Sequence, residues 1–276
     1  MPYVRTRLGR WFYEERGKPR KAGDAAVILL HGLLFDGGMW DAQLPALSEV
    51  GRVVVLDGPG HGKSEVPPPF SLEDHAEALL DVFRELKIDR AVLVGLSWGG
   101  MVSMRAAMVH PSHIAAMVLL DTSAAAEDLR LRVKYRLFVS FARRFGLPPA
   151  LVNRELLPLM FTPRTLRERP ELGTSFTRMV NGFPREGVAR AALAVVIHRK
   201  DVTAKLAGVR VPTLVICGRE DRATEGRHSE SLARTIPGAK LVWIEDSGHM
   251  SAIERPREVN LALVPFVREH LGSERA

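Results

Sequence analysis

Apolar and polar positions follow two different patterns in the first half of the chain. Three short runs rich in Val, Ile and Leu, at residues 26–30, 52–56 and 91–94, each stop at a glycine or at a polar turn. A run that is apolar at nearly every position is typical of a strand buried on both faces of a parallel sheet. Residues 4–14 instead alternate between polar and apolar side chains, which predicts an antiparallel pair at the edge of the sheet.

Helical patterns separate these strands and return near the C-terminus. Ser71 and Asp74 form a candidate capping box at the start of an amphipathic helix. Residues 98–110 form a second predicted helix, which Pro111 ends. Later elements alternate in the same way: strand 114–120, strand 213–217, helix 225–236, strand 240–244 and helix 255–271.

The middle of the chain has no β-branched runs and is interrupted by several prolines. It is predicted to form several short helices, one of which carries Phe138, Phe141 and Phe145 at helical spacing. The sequence therefore predicts an α/β fold with a mostly parallel central sheet flanked by helices and with a helical lid insertion. Its core would comprise residues 1–121 and 206–276, and its lid residues 122–205.

A serine follows the third apolar run inside the pentapeptide Gly95-Leu96-Ser97-Trp98-Gly99, which matches G-x-S-x-G. A strand before it and a helix after it supply the setting in which a serine is held exposed on a strained turn. Glycines are needed there because a tight turn leaves no room for Cβ atoms beside the serine. The helix N-terminus directs N–H groups at an oxygen that becomes negative. Ser97 is therefore the candidate nucleophile.

A serine hydroxyl needs a base and an orienting acid, and both candidates follow predicted strands. His249 comes after the strand at 240–244, and Asp221 comes after the strand at 213–217. Because the carboxyl ends of parallel strands meet at one edge, we expect both near Ser97, in the chain order Ser, Asp, His. Asp121 also ends a strand and is the alternative acid.

None of the other histidines directly follows a predicted strand in this way. His61 is predicted to be a turn residue, and solvated helix positions are predicted for His75, His110, His113, His198, His228 and His270. No pair of them has the spacing of zinc ligands, so we expect no metal site.

Five ordered segments together resemble the α/β-hydrolase superfamily, and within it the small serine esterases, enol-lactonases and cofactor-free haloperoxidases. They cover about residues 3–121 and 206–271 and read His31-Gly32-Leu33-Leu34, Asp57-Gly58-Pro59-Gly60-His61-Gly62-Lys63-Ser64, Gly95-Leu96-Ser97-Trp98-Gly99-Gly100, Gly218-Arg219-Glu220-Asp221 and Gly248-His249. The resemblance implies an oxyanion hole made by the backbone N–H groups of Leu33 and Trp98, and no cofactor.

The resemblance also separates reaction types. Relatives that open epoxides or dehalogenate alkanes use an aspartate nucleophile where this chain has Ser97. Haloperoxidase relatives often carry proline at the position where this chain has Leu34. The absence of that proline favours ester hydrolysis over the haloperoxidase reaction. We therefore expect a carboxylesterase that acts on a small-molecule ester or lactone. A dedicated lactonase and a ligand receptor of low turnover on the same fold are the alternatives.

The predicted lid should lie over Ser97, because that edge of the sheet is where the insertion emerges. Five residues are expected to line the substrate pocket: Leu34, Phe138, Phe141, Met160 and Met250. Leu157, Phe161, Phe176 and Met179 are further apolar lid residues that could line it, although packing between lid and core is favoured for most of the apolar lid residues.

Composition and charge exclude some structural classes but leave several kinds of binding partner open. The single cysteine, Cys217, excludes a disulfide framework, and the absence of an apolar signal segment predicts a cytoplasmic protein. The net charge of +7 leaves nucleic acid, an anionic membrane or an acidic substrate open, although no nucleic-acid-binding motif is present. Residues 122–205 hold 16 Lys and Arg against 7 Asp and Glu, so the positive excess lies in the predicted lid. Either these arginines cover outer helix faces, or they attract anionic substrates.

Overall fold

The computed structural model describes residues 2–19 and 24–272, and an eight-stranded sheet forms its centre. Spatially the strands follow the order β1-β2-β4-β3-β5-β6-β7-β8. In chain order they are β1 (Tyr3–Thr6), β2 (Gly9–Arg16), β3 (Ala26–Leu30), β4 (Val53–Leu56), β5 (Ala91–Leu96), β6 (Ile114–Leu120), β7 (Thr213–Gly218) and β8 (Lys240–Ile244). The predicted strands are confirmed. Residue 1 and residues 273–276, where the predicted core segments begin and end, lie outside the described residues.

Strand direction determines where functional side chains can meet. β1 and β2 pair antiparallel, as the alternating pattern of residues 4–14 predicts, and β2 pairs antiparallel with β4. The remaining pairs, from β4 through β3, β5, β6 and β7 to β8, are all parallel. Six strands therefore end at one edge of the sheet, which we call the carboxyl edge.

Twelve α-helices accompany the sheet in the described residues. They are α1 (Leu44–Val50), α2 (Leu72–Glu85), α3 (Trp98–Val109), α4 (Leu129–Phe145), α5 (Pro149–Leu151), α6 (Leu157–Met160), α7 (Pro163–Glu168), α8 (Pro170–Gly182), α9 (Arg185–Ala192), α10 (Gly226–Thr235), α11 (Ser251–Glu254) and α12 (Pro256–Leu271). None of the described helices combines the length and the apolar character needed to cross a bilayer.

Each face of the sheet is covered by its own hydrophobic core. Ile28 of β3 packs into a core with α2 and α3, and its neighbour Leu29 packs into a second core with α1 and α12. Successive strand residues point to opposite faces, so a strand with a core on both sides is apolar throughout. This double burial explains the continuous apolar runs of the sequence.

Helix α2 begins as its sequence predicts. The Asp74 N–H donates to the Ser71 hydroxyl at 3.1 Å, and the Ser71 N–H donates to the Asp74 carboxylate at 2.8 Å. Each of these hydrogen bonds satisfies an N–H that has no acceptor within the helix. A cap of this kind contributes about 1 kcal/mol to helix stability.

The chain between β6 and β7 forms only helices and turns, as predicted for residues 122–205. Helix α4 packs against α9 and against the π-helical turn Leu193–Ile197. None of the 17 residues of α4 is buried. The division of the chain into a core and a lid at residues 121/122 and 205/206 stays a prediction.

Two glycines bring the helical segment into backbone contact with the core. A Cβ added to Gly187 in α9 would stand 2.8 Å from the Cα of Gly60, which belongs to the loop after β4. Gly60 also has a φ of +76°, a conformation that side chains disfavour. Any larger residue at either position would push α9 away from the sheet.

Candidate active site

Ser97 links the end of β5 to the first residue of α3 in a backbone conformation that L-residues rarely adopt. Its φ is +51° and its ψ is −110°. Such a conformation costs about 1–3 kcal/mol and persists only where the surroundings impose it. A Cβ at Gly99 would stand 2.2 Å from the Leu30 carbonyl oxygen, and one at Gly95 would stand 2.3 Å from the Gly99 carbonyl carbon. The motif glycines therefore permit the sharp turn, as the sequence predicts.

Hydrogen bonds hold this turn against the next strand. The Ser97 N–H donates to the Leu120 carbonyl at 2.9 Å, and the Thr122 hydroxyl donates to the Ser97 carbonyl at 2.7 Å. The main chain of Ser97 is thus fixed to both sides of the end of β6. Ser97 itself is 8% exposed and lines a cavity.

His249 and Asp221 come together at the same edge. His249 lies in the loop after β8, and its Nδ1 is 3.0 Å from Asp221 Oδ2 and 3.1 Å from Oδ1. The Asp221 carboxylate also accepts hydrogen bonds from the N–H groups of Ala223 and Thr224, at 2.8 and 2.9 Å, and from the Thr224 hydroxyl at 2.8 Å. These donors fix the carboxylate in a single orientation toward the imidazole.

The electrostatics of the pair follow from burial and proximity. Burial opposes ionisation of Asp221, but His249 and the donors of Thr224 outweigh it and hold the pKa of the carboxyl below its ordinary value. Burial likewise opposes protonation of His249, yet the Asp221 carboxylate raises the pKa of the imidazole above its ordinary value. An imidazole held in this way is a stronger base than a free one.

Asp121, the alternative acid, points elsewhere. Its Oδ1 accepts the N–H of Gly218 at 2.8 Å, and the Ser251 hydroxyl lies 2.5 Å from its Oδ2. Burial, followed by the nearby charge of Asp221, raises the pKa of Asp121 to about 8. Asp121 therefore ties the end of β7 to the residue that begins α11, two positions after His249. The structure brings Asp221, and not Asp121, within hydrogen-bonding distance of His249.

Leu33 and Trp98 occupy the positions from which the resemblance derives an oxyanion hole. Trp98 is the first residue of α3, so its N–H has no carbonyl acceptor four residues earlier within the helix. Leu33 lies in the loop after β3 and lines the same cavity as Ser97. Both backbone groups thus belong to segments that adjoin the serine turn.

Two buried imidazoles hold the loop that contains Leu33. The Gly58 N–H donates to His31 Nε2 at 2.7 Å, and the Leu34 N–H donates to His61 Nε2 at 3.3 Å. Burial lowers the pKa of both rings, that of His61 to about 3, so both are neutral acceptors at neutral pH. His61, predicted only as a turn residue, is therefore also a support for this loop.

A cavity of about 290 Å³ opens above Ser97 and His249. Of the five predicted pocket residues, Leu34, Phe138 and Met160 line it. The prediction for Phe141 and Met250 is wrong. Phe141 stands on the outer face of α4 and is 43% exposed, and Met250 is fully buried in the core beneath the sheet edge.

None of the four further lid residues, Leu157, Phe161, Phe176 and Met179, lines the cavity. Phe161 and Phe176 are buried and pack against Phe35 rather than lining the cavity. Aromatic side chains at these positions therefore join the helical segment to the core. The polar part of the cavity wall comes instead from residues the sequence did not single out, including Tyr135, Asn181, Arg185, Arg199 and Arg222.

His75 contradicts its predicted solvation. Its ring is buried between the rings of Trp11 and Trp98, with centroids 5.0 and 4.9 Å away. Burial lowers its pKa to about 3, so the ring is neutral and acts as an apolar aromatic side chain. His228 is also only half-exposed, since it lines the cavity with its Nδ1 3.0 Å from the Ser123 hydroxyl.

A third set of buried groups lies behind the acid. Ligand atoms of Asp121, Cys217 and Asp221 fall within 4.8 Å of one another. Burial raises the pKa of the Cys217 thiol, so it is protonated at neutral pH, and the two carboxyls already accept hydrogen bonds from protein donors. Neutral thiols and fully engaged carboxyls are poor cation ligands.

Comparisons with known proteins agree over nearly the whole chain. A family model described as alpha/beta hydrolase fold matches residues 25–256. The dihydrolipoyllysine-residue acetyltransferase component of an acetoin cleaving system from Pseudomonas putida is 31% identical over 271 residues, which are 97% of this chain and 68% of that protein. A thermophilic esterase from Thermogutta terrifontis is structurally similar with a TM-score of 0.89 at 31% identity, covering 98% of each chain. The enol-lactonase from Burkholderia xenovorans LB400 gives 0.88 at 30% identity, covering 96% of this chain and 99% of that one.

The parallel sheet, the serine turn at its carboxyl edge and these matches define the class of the protein: the chain belongs to the α/β hydrolase fold family. Within that family it is a hydrolase, and its structural neighbours over the full chain include an esterase and an enol-lactonase. The superfamily resemblance derived from its five motifs is thereby confirmed.

Proposed function

We propose that this hydrolase cleaves carboxylic esters through an acyl-enzyme formed on Ser97. The observation that carries the proposal is the meeting of three groups at one sheet edge. Ser97 and His249 line a single cavity, and Asp221 holds the far nitrogen of the imidazole at 3.0 Å. Nucleophile, base and orienting acid in this relation are the working parts of acyl transfer to serine.

Each step follows from a named group. His249 Nε2 accepts the proton of the Ser97 hydroxyl while Oγ attacks the ester carbonyl carbon. The tetrahedral intermediate collapses, the alcohol leaves with the proton from His249, and the acyl group stays on Oγ. Water then attacks the acyl carbon while His249 takes one of its protons. The bond between the acyl carbon and Oγ breaks, the acid leaves, and the proton on His249 passes to Oγ, which regenerates the Ser97 hydroxyl. Asp221 keeps Nδ1 protonated throughout and stabilises the charged imidazolium.

The negative oxygen of each intermediate would be held by the backbone N–H groups of Leu33 and Trp98. Removing one such donor costs about 3 kcal/mol of transition-state stabilisation in a comparable site. Since both donors are main-chain groups, their positions depend on the loops that carry them. The imidazole of His61, which accepts the neighbouring Leu34 N–H, is the side chain through which the loop at Leu33 can be tested.

The nucleophile is tested with a short p-nitrophenyl ester. Ser97→Ala is expected to lower kcat by at least about 10⁴-fold, because the proposed acyl-enzyme forms on the Ser97 Oγ. Ser48→Ala, on α1 and outside the cavity, is the matched control and should retain full activity. Labelling by a fluorophosphonate should disappear in the first variant alone. Activity and labelling that survive Ser97→Ala would refute the assignment.

Lactone hydrolysis is the second candidate. It is favoured by the likeness to the Burkholderia xenovorans enol-lactonase over almost the full length of both chains. The same groups would serve, because a lactone is a cyclic ester whose leaving alcohol stays attached to the acyl group. Rates on a matched panel of lactones and open-chain esters of equal carbon number decide between the two. A small-molecule substrate, the absence of a cofactor and a cytoplasmic location stay predictions attached to this proposal.

A further inference from the structure

The outer face of α4 carries an exposed row of large apolar side chains. Leu129, Val133, Leu137, Phe141 and Phe145 follow one another at intervals of four residues, and we call them the α4 stripe. Residues four apart are neighbours on a helix surface, and each step of four turns by about 40°, so the α4 stripe winds across the exposed side of the helix. Leu129 is 70% exposed and Leu137 is 69% exposed. Six of the ten exposed large apolar residues in the described chain lie on this one helix, so they are not scattered at random.

Positive charge accompanies the stripe without any balancing acid on the helix. α4 contains six cations and no Asp or Glu: Arg130, Arg132, Lys134, Arg136, Arg143 and Arg144. Only Lys134 and Arg143 reach carboxylates of neighbouring segments, at 3.4 and 3.8 Å. No carboxylate of the described residues lies within ion-pair distance of the other four. Much of the positive excess of residues 122–205 is therefore concentrated on one solvent-facing helix.

The unpaired cations are placed beside the apolar side chains. Arg130 and Arg136 each lie three residues from Val133, and Arg144 lies three residues from Phe141, so they are neighbours on the helix surface. Long Arg stems can pack along apolar surface while the charged ends reach outward. An exposed apolar surface interspersed with unpaired cations can bind the plane of an anionic lipid–water interface.

We propose that α4 docks the enzyme onto an anionic lipid surface, with the α4 stripe in the acyl boundary and its cations on the headgroups. A second copy of the chain fits less well, because stacking two such helices would bring their unpaired cations together. An acidic lipid surface supplies both complements at once, apolar chains for the stripe and negative charge for the arginines. The proposal concerns binding and does not depend on which ester is cleaved.

The position of α4 connects this surface with the cavity. The rest of the helix circumference lines the cavity above Ser97 through Tyr135, Phe138, Val139 and Ala142. A docked helix would thus lie directly between the lipid surface and the catalytic cavity. Substrates that partition into lipid would then enter from the surface to which the protein is bound.

Vesicle sedimentation tests the proposal with the intact protein. Vesicles of phosphatidylglycerol and phosphatidylcholine in about equal amounts should bind the wild-type protein, and vesicles of phosphatidylcholine alone should bind it at least about tenfold more weakly. Binding should also fall in about 1 M NaCl, where the Debye length is about 3 Å. Absence of binding to the anionic vesicles at low salt would overturn the proposal.

Matched variants assign the binding to α4. Leu129→Ser combined with Leu137→Ser should weaken binding about tenfold or more, because two apolar side chains no longer enter the acyl boundary. Leu261→Ser on α12, where the leucine is 77% exposed, is the control and should bind as the wild type does. Arg130→Gln, Arg136→Gln and Arg144→Gln together should also weaken binding, whereas Arg5→Gln, Arg257→Gln and Arg268→Gln together should weaken it much less.

Two further readouts separate lipid docking from misfolding of the variants and from dimerisation. Circular dichroism and turnover of a soluble ester should be unchanged in the α4 variants, because none of the altered side chains lines the cavity. Sedimentation velocity should give the same mass for wild type and variants. If the wild type is a dimer that the Leu129→Ser and Leu137→Ser changes dissociate, the stripe is a protein interface and lipid docking is wrong. Vesicle binding is measurable even if Ser97 proves not to be a nucleophile.

Discussion

Helices α3 and α4 both border the catalytic cavity, yet they are built in opposite ways. α3 buries ten of its twelve residues and begins at the serine turn, whereas α4 buries none of its seventeen. In α3 the position of the helix is imposed by packing against three strands, β3, β5 and β6, and against α2. In α4 one side, with Arg143, lines the cavity and the other faces solvent. The buried helix α3 therefore holds the groups of the proposed reaction in place, whereas the exposed helix α4 is placed to control access to the cavity and to contact partners.

The largest expected effect comes from a change to the buried catalytic groups. Asp221→Asn should lower kcat by about 10⁴-fold, because an amide cannot stabilise the imidazolium and favours the wrong tautomer of His249. The matched change Asp121→Asn should leave kcat within about threefold, because Asp121 does not contact the imidazole. Steady-state kinetics on one soluble ester compare the two variants. If Asp121→Asn proved the more damaging, the assignment of the acid would be reversed.

The pH dependence of the reaction should report the base. His249 must be neutral to accept a proton, and Asp221 raises its pKa above the ordinary value of 6.5. kcat/KM should therefore be full above that raised pKa and fall about tenfold per pH unit below it. A profile measured from pH 5 to pH 9 checks the direction. An acid limb centred below the ordinary value would contradict the contact with the ionised carboxylate.

Asp121 should affect stability more than catalysis. With a pKa of about 8 it is protonated in the folded protein at neutral pH, so an amide can replace it and still serve Gly218 and Ser251. Asp121→Ala leaves both groups without a partner and should destabilise the fold by about 2–4 kcal/mol.

Linkage gives a second check on the same residue. A carboxyl with a raised folded pKa binds its proton more tightly in the folded state, so its contribution to stability is lost as pH rises from about 3.8 toward about 8. The Tm of the wild type should therefore fall relative to that of Asp121→Asn across this range. A difference in Tm that does not change with pH would mean that Asp121 is ionised in the folded protein.

The smallest effect is expected from an arginine of the helical segment that covers the cavity. Arg185 lines the cavity and forms no ion pair with the described residues, so Arg185→Gln should lower kcat/KM for an anionic ester by about threefold. The rate on a neutral ester of the same size should not change, and Arg257→Gln on α12 serves as the control. If added salt leaves the preference for the anionic ester unaltered, the cavity arginines do not attract substrate.

Much of the buried half could be predicted from the sequence alone. Apolar runs that end at glycine gave the strands, and the rule that parallel strands end together brought Ser97, Asp221 and His249 to one edge. These inferences worked because each depends on local chemistry: a glycine that fits a turn, or a polar residue directly after a strand. The choice between Asp221 and Asp121 required the direction of two side chains, which no local pattern encodes.

The exposed half was predicted less well, for a physical reason. A helical period shows that α4 has two faces but not which face meets the protein, and it is Phe138 rather than Phe141 that lines the cavity. His75 failed similarly, because its burial depends on Trp11 and Trp98, which lie far from it in sequence. Contacts between distant segments decided both outcomes.

The backbone of Ser97 has a consequence for how durable this enzyme can be. A residue with φ of +51° and ψ of −110° stores free energy that a glycine at the same place would release. Ser97→Gly should thus be inactive yet unfold at a higher temperature than the wild type. The nucleophile therefore makes the protein less heat-resistant than its fold allows. The inactive glycine variant would be the more stable form in which to trap an uncleaved substrate.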